Sequence, residues 1–300
     1  MSKENTPVPK QNFLPLIFVS SDEPRLRAGW RLLIQTILLF VLGIVVSAIG
    51  LIFKTSGSAT TILNQVLNLA AITGSVYIAR RWLDKRSFES LGLKLEPRAL
   101  VDIFAGIGIT FIQMGLIYVA MVSLGWLTFK GFAWEFDPIS TVVTSVLTAF
   151  VVFIFVGWNE ELLSRGYHLQ TIASGTTLFW GTIISSAVFG ILHLGNPNAT
   201  WVSAAGIFFA GIFLAFGYIR TKQLWLSIGL HIGWNFFEGV IFGFPVSGLD
   251  IYAMTRIEVH GPALWTGGAF GPEAGLIVLP ALIVGGLLIY LYTKNRDAFL

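Results

Sequence analysis

Six residues in three short clusters carry the chemistry this chain could do: Glu160, Glu161 and Arg165, then His193 four residues after Phe189, then His231 with Asn235. A carboxylate, two imidazoles and a carboxamide are the parts needed to activate a water molecule and stabilise an oxyanion. The first cluster follows a stretch, Thr141 to Val156, that contains no charge at all. Ionisable groups at the end of a lipid-like helix are costly and by default mark a functional site.

Helical geometry divides the two acids. Glu161 and Arg165 are four residues apart and share a face, with the acid N-terminal to the base as that pairing prefers. Glu160 lies about 100° away round the helix and has no local partner. A carboxylate held by arginine stays ionised and unreactive, so Glu161 is expected to be structural and Glu160 to be the general base. His231 and Asn235 share a face, which Glu238 continues. Each cluster also has a purely architectural reading: the acids cap a helix end, and the histidines and Asn235 hydrogen-bond neighbouring helices. Three clusters on three separate spans favour chemistry over three coincidences of packing.

The elements that must position these groups are membrane helices. With 300 residues, 55% of them apolar, 12% charged and a mean hydropathy of +0.76, the composition is that of an all-α polytopic membrane protein embedded in a lipid bilayer. Apolar runs at about 32–53, 61–79, 100–126, 140–165, 178–194, 199–219, 224–244 and 273–293 predict about eight transmembrane helices in one bundle. Residues 1–28 read as a cytosolic N-terminal tail without a cleavable signal pattern, and 29–300 as a single transmembrane domain with a motif-bearing core at 140–245.

Orientation follows from the basic residues. Lys and Arg cluster in the tail, at 80–98, at Arg220 and Lys222, and at Lys294 and Arg296, whereas the alternate loops hold only Lys54, Lys130 and Arg256. Both termini are therefore expected in the cytosol. The net charge of +3 and isoelectric point near 9.2 reflect this topological pattern, which speaks against nucleic acid as a partner. The absence of cysteine removes disulfides, thiolate metal sites and a cysteine nucleophile.

Small residues at Gly106 and Gly108, Ser185 and Ser186, and Gly285 and Gly286 read as packing faces, and Asn64, Gln65, Asn68 and Gln113 as polar groups that join helices. Arg80 to Arg98 reads as a surface-lying segment or a plain loop. Pro245 to Pro272 reads as an ordered cap or a mobile lid.

Glu160-Glu161-x-x-x-Arg165, Phe189-x-x-x-His193 and His231-x-x-x-Asn235 resemble, in order and spacing, the three motifs of the CAAX prenyl protease and bacteriocin-processing family of intramembrane proteins. Phe88-x-x-Leu91-Gly92-Leu93 is also similar to members of that family. The resemblance implies a metal-independent glutamic endopeptidase with no cofactor, acting on a peptide or membrane-protein substrate in the bacterial inner membrane. It also implies roles: Glu160 as base, His193 holding the water, His231 and Asn235 on the oxyanion, and Arg165 fixing Glu161. The family includes members without proteolysis, so a scaffold or bacteriocin-immunity role is the alternative. A zinc hydrolase is a third reading of the same donors, although the chain has no His-Glu-x-x-His motif.

Spacing poses one difficulty. Counted from the ends of the apolar runs, Glu160 lies about 28 Å along a helix entering from outside, close to the cytosolic face, whereas His193 lies about 22 Å along one entering from inside. Convergence requires a bend, a tilt or a deep start, with Gly157, Gly181 and Gly190 as places for it.

Overall fold

The three clusters meet because five helices surround them on unequal lengths of chain. The computed structural model describes residues 17–20 and 25–296, so the tail expected over 1–28 lies largely outside the described residues. The chain is mostly helical: α1 (Ala28–Gly50), α2 (Ser58–Ile78), α3 (Pro97–Ser123), α4 (Ile139–Glu161), α5 (Gln170–Gly175), α6 (Leu178–Leu192), α7 (Trp201–Thr221), α8 (Trp225–Asn235) and α9 (Val278–Thr293). Pi-helical turns extend α2 to Leu83, join α4 to α5 and prolong α8 to Ile241. Beside the helices stands a small antiparallel sheet of β1 (Leu127–Phe132) and β2 (Thr255–Val259).

Among the described residues, six helical stretches are long and apolar enough to cross a membrane: 28–50, 58–83, 97–123, 139–175, 178–195 and 201–221. The runs expected at 224–244 and 273–293 form shorter helices, α8 of 11 residues and α9 of 16. All 11 residues of α8 are buried inside the protein, chiefly against α3, α4 and α7. Its apolar residues serve contact with other helices instead of contact with lipid.

Close approach to α8 rests on glycine. A Cβ on Gly229 would fall 2.7 Å from the Ile103 Cα, and one on Gly106 would fall 2.7 Å from the Gly229 carbonyl carbon. Backbone cannot retreat as a side chain can, so these positions admit hydrogen only. Ser185 and Ser186 are both buried, but in the two glycine pairs only one member packs, because neighbours on a helix point about 100° apart. Gly106 packs while Gly108 has nothing within 4 Å, and Gly285 packs on Gln113 while Gly286 is open. Gln113 joins helices as expected, donating to the Ala281 carbonyl at 2.8 Å. Asn64 and Asn68 are exposed, and Gln65 lines a cavity.

The segment after α2 is packed into the protein. Leu91 and Leu93 are buried in a cluster with Leu162, Tyr167 and Leu224. Arg80 is buried too, bonded to Asp84 at 2.9 Å and to Ser90 at 3.0 Å. Asp84 also pairs with Arg31, which ties α1 to this turn. The Pro245–Pro272 connection is likewise ordered: Val246 N–H donates to the Leu249 carbonyl at 2.9 Å, Gly248 N–H to Phe270 at 2.7 Å and Met254 N–H to Val240 at 2.6 Å.

The difficulty over depth has a simple resolution. The helix bearing Glu160 does not end with its apolar run; it continues through the pi turn and α5 to Gly175 before the chain reverses into α6. The Thr177 hydroxyl caps that reversal by accepting from Trp180 N–H at 3.3 Å. Gly175 is 15 residues beyond Glu160, and His193 is 15 residues beyond Leu178. Two neighbouring helices that run about 22 Å out and about 22 Å back bring those residues level. Gly157, Gly181 and Gly190 mark close contacts: each lies against the backbone of a neighbouring segment, Ile228, Leu169 and Ala204 respectively.

Candidate active site

The acids on α4 face two different surroundings. Glu161 is fully buried, and its Oε1 accepts from Arg165 Nη1 at 2.8 Å and lies 2.8 Å from His231 Nδ1. Arg165, 1% exposed, also donates from Nη2 to the Gly211 carbonyl at 3.0 Å, and its guanidinium stands 4.4 Å over the Phe189 ring. One arginine therefore joins α4, α6 and α7, and Phe189 is the surface on which it rests. Phe189 in turn meets the His193 ring edge-on at 4.6 Å and the His231 ring at 6.2 Å.

Glu160 points the other way, into a cavity of about 420 Å³. Its side chain is 34% exposed, and its Oε2 lies 3.6 Å from His231 Nε2 and 3.9 Å from His193 Nε2. Both separations exceed a hydrogen bond, and Oε2 has no hydrogen-bond partner. The ring tautomers follow from the partners on the far side of each imidazole. His193 Nδ1 lies 2.8 Å from the Phe189 carbonyl, which can only accept, so Nδ1 carries the proton and Nε2 faces Glu160. His231 Nδ1 donates to Glu161 in the same way, so its Nε2 also faces Glu160. Asn235, one turn beyond His231, is 7% exposed and lines the same cavity.

All six residues singled out by spacing thus lie in one neighbourhood: four on the cavity, with Glu161 and Arg165 forming the brace behind it. The rest of the cavity wall is mainly apolar, from residues such as Ile72, Phe153, Leu192, Phe213 and Leu249. Further polar side chains on that wall are Gln65, Asn159, Ser164, Asn196, Ser247 and Glu273. Ser247 and Glu273 reach the site from beyond the motif core, through contacts that only the folded chain makes. Among the described residues, no three His, Asp or Glu side chains come together in a way that could hold a metal ion.

Residues 142–237, which include all three motifs, match the family model described as type II CAAX prenyl endopeptidase Rce1-like. Relatives among known proteins include YyaK of Bacillus subtilis (strain 168), an uncharacterised protein 26% identical over 249 residues, covering 78% of this chain and 76% of that protein. YdiL of the same organism, named as a candidate membrane peptidase, is 29% identical over 109 residues, covering 36% of this chain and 39% of YdiL. An uncharacterised 24.3 kDa protein of Escherichia coli is 27% identical over 149 residues, covering 46% of this chain and 66% of that protein. Over the core that carries Glu160, His193 and His231, the chain is similar to the type II CAAX prenyl endopeptidase Rce1-like family of membrane proteases.

Proposed function

We propose that this protein is an intramembrane, metal-independent glutamic endopeptidase that cleaves a peptide bond in a membrane-associated or lipid-modified peptide. The observation that carries the reading is the position of Glu160 Oε2, free of hydrogen bonds and 3.6 and 3.9 Å from two imidazole Nε2 atoms. A water molecule bonded to these groups would give its proton to Glu160 as its oxygen forms the new bond to the peptide carbonyl carbon. His193 orients that water. The developing oxyanion accepts from the Asn235 carboxamide and from Nε2–H of His231 in its imidazolium form, the extra proton being taken up from bulk water before substrate binds and its charge balanced by Glu161 at Nδ1. Cleavage of the C–N bond then returns the proton from Glu160 to the leaving amine. Arg165 keeps Glu161 in place throughout.

The same reading puts both termini in the cytosol, with eight membrane crossings in a single domain from 29 to 300 built round the 140–245 core. It assigns the protein to a bacterial inner membrane. Purified wild type and Glu160→Ala, offered a panel of membrane-peptide and lipidated substrates, test it. Turnover by wild type that resists chelators and is absent from Glu160→Ala supports the proposal. Equal turnover by both removes Glu160 as the base, chelator-sensitive turnover points to zinc, and no turnover by either favours the scaffold role.

A further inference from the structure

Beside the cavity lie two further acids that the proposed reaction does not use, Glu273 on its wall and Glu238 buried behind it. Glu238, three residues past Asn235, is completely buried, and neither of its carboxyl oxygens has a hydrogen-bond partner. Glu273, in the turn that leads into α9, is 4% exposed, and Gly271, two residues before it, lies beside the Glu238 carboxyl. Glu273 is well supplied with donors. Trp234 Nε1–H donates to its Oε1 at 3.0 Å, and the Ser247 N–H and hydroxyl donate to its Oε2 at 2.8 and 2.6 Å. No Lys or Arg lines this cavity; the charged or titratable groups on it are Glu160, Glu273, His193 and His231.

A completely buried carboxylate with no hydrogen bond to either oxygen does not persist in the ionised form. Three donors mark Glu273 as the ionised member, whereas the nearby Trp234 N–H is already given to Glu273 and leaves both Glu238 oxygens without a bond, which marks Glu238 as the one that keeps a proton. Through its partners Glu273 is tied to the elements that carry His193, His231 and Asn235. Trp234 sits on the helix that carries His231 and Asn235. Ser247 belongs to the connection over the cavity, and its carbonyl accepts from Asn196 Nδ2 at 3.0 Å, three residues after His193. Glycine lets these parts close. Gly248, at φ +84°, lies under the Pro197 carbonyl, and Gly271, at φ +107°, lies under that of Pro245 and beside Glu238.

We propose that Glu238 and Glu273 form a positioning pair, in which protonated Glu238 backs ionised Glu273, and Glu273 fastens the Pro245–Pro272 connection onto the turns that hold His193, His231 and Asn235. The pair is independent of the endopeptidase reading in everything except its effect on turnover. Infrared spectra of the full-length protein in lipid nanodiscs at neutral pH test the charge state. A protonated-carboxyl band that is present in wild type and in Glu273→Ala, and is lost in Glu238→Gln, is the expected result. A spectrum that Glu238→Gln leaves unchanged overturns the proposal.

Hydrogen exchange tests the fastening. Ser247→Ala, which removes one hydroxyl and no bulk, and Glu273→Gln should each speed exchange of the amides at 246–248 by about tenfold, the loss of one bond to a charged group. Rates equal to wild type in both variants overturn it. In a protein that turns over peptide, both variants should lower kcat more than they raise KM. Should wild type cleave nothing, the endopeptidase reading fails, while the infrared and exchange results still decide the pair.

Discussion

Two regions meet at the bond between Glu160 and Glu161, one built to be solid and the other to be open. On the solid side Glu161, Arg165 and the Gly211 carbonyl form a brace with almost no exposure, and every charge has a counter-charge or a donor. On the open side Glu160 and His193 are 34% and 15% exposed, and their nearest reactive atoms stand just beyond hydrogen-bond distance. His231 belongs to both, with Nδ1 in the brace and Nε2 on the cavity. The difference teaches that adjacent, chemically identical residues acquire opposite properties from 100° of helix rotation and from what the neighbouring helices offer there. It also divides expected mutational effects into losses of folding and losses of turnover.

The largest effect is expected from breaking the brace. Glu161→Gln leaves Arg165 buried beside a neutral amide, which should cost about 3–5 kcal/mol and appear as a large fall in melting temperature in detergent. Replacing both partners, as Glu161→Leu with Arg165→Met, removes the stranded charge and should recover most of that stability. A single variant as stable as wild type would show that the brace does not hold the helices.

On the open side Asn235→Ala should do the reverse. It should leave the melting temperature near that of wild type and lower turnover by about 10²- to 10³-fold, the usual effect of losing an oxyanion donor. A loss confined to stability would move Asn235 to the solid side. Next in size, Gly229→Val forces a side chain into the Ile103 backbone and should cost about 1–3 kcal/mol. Gly108→Val, with nothing within 4 Å, should be tolerated. Equal melting of the two would break the claim that the close approach of α3 and α8 rests on glycine.

The smallest effect lies farthest from both regions. Lys130 bonds Glu258 across β1 and β2 at 2.6 Å. That hydrogen bond, the lysine charge and nearby His260 hold the Glu258 carboxyl below its usual range. Because the folded value is depressed, the contribution is complete above about pH 4.5 and is lost as pH falls through the lower folded value. Both side chains are half exposed, so screening keeps the effect local. Hydrogen exchange at 127–132 should quicken in wild type below that pH, and Glu258→Gln should abolish the dependence.

Much of the site was legible in the sequence because its information is local. Four-residue spacing pairs Glu161 with Arg165, and the same rule sets Phe189 beside His193 and His231 beside Asn235. Depth was not legible, because the apolar run round Glu160 ends before the helix does. The continuation through Leu162–Leu169 and α5 is polar enough to read as loop, yet it brings His193 level with Glu160. Glu273 and Ser247 were invisible for a different reason: they reach the cavity through tertiary contacts from 26 residues apart, with no periodicity to join them. The choice of Gly106 over Gly108 likewise depends on which face α8 occupies, and only the packed structure decides that.

The most direct test of the account compares purified wild type with Glu160→Gln, a substitution that keeps shape and removes only the carboxylate. Melting temperature and peptide turnover should be measured on the same samples. Glu160→Gln should melt within about 1 kcal/mol of wild type, because no bond in the brace is touched, and should lose about 10²- to 10⁴-fold in turnover. Wild-type turnover by Glu160→Gln would contradict the assignment of Glu160 as the base.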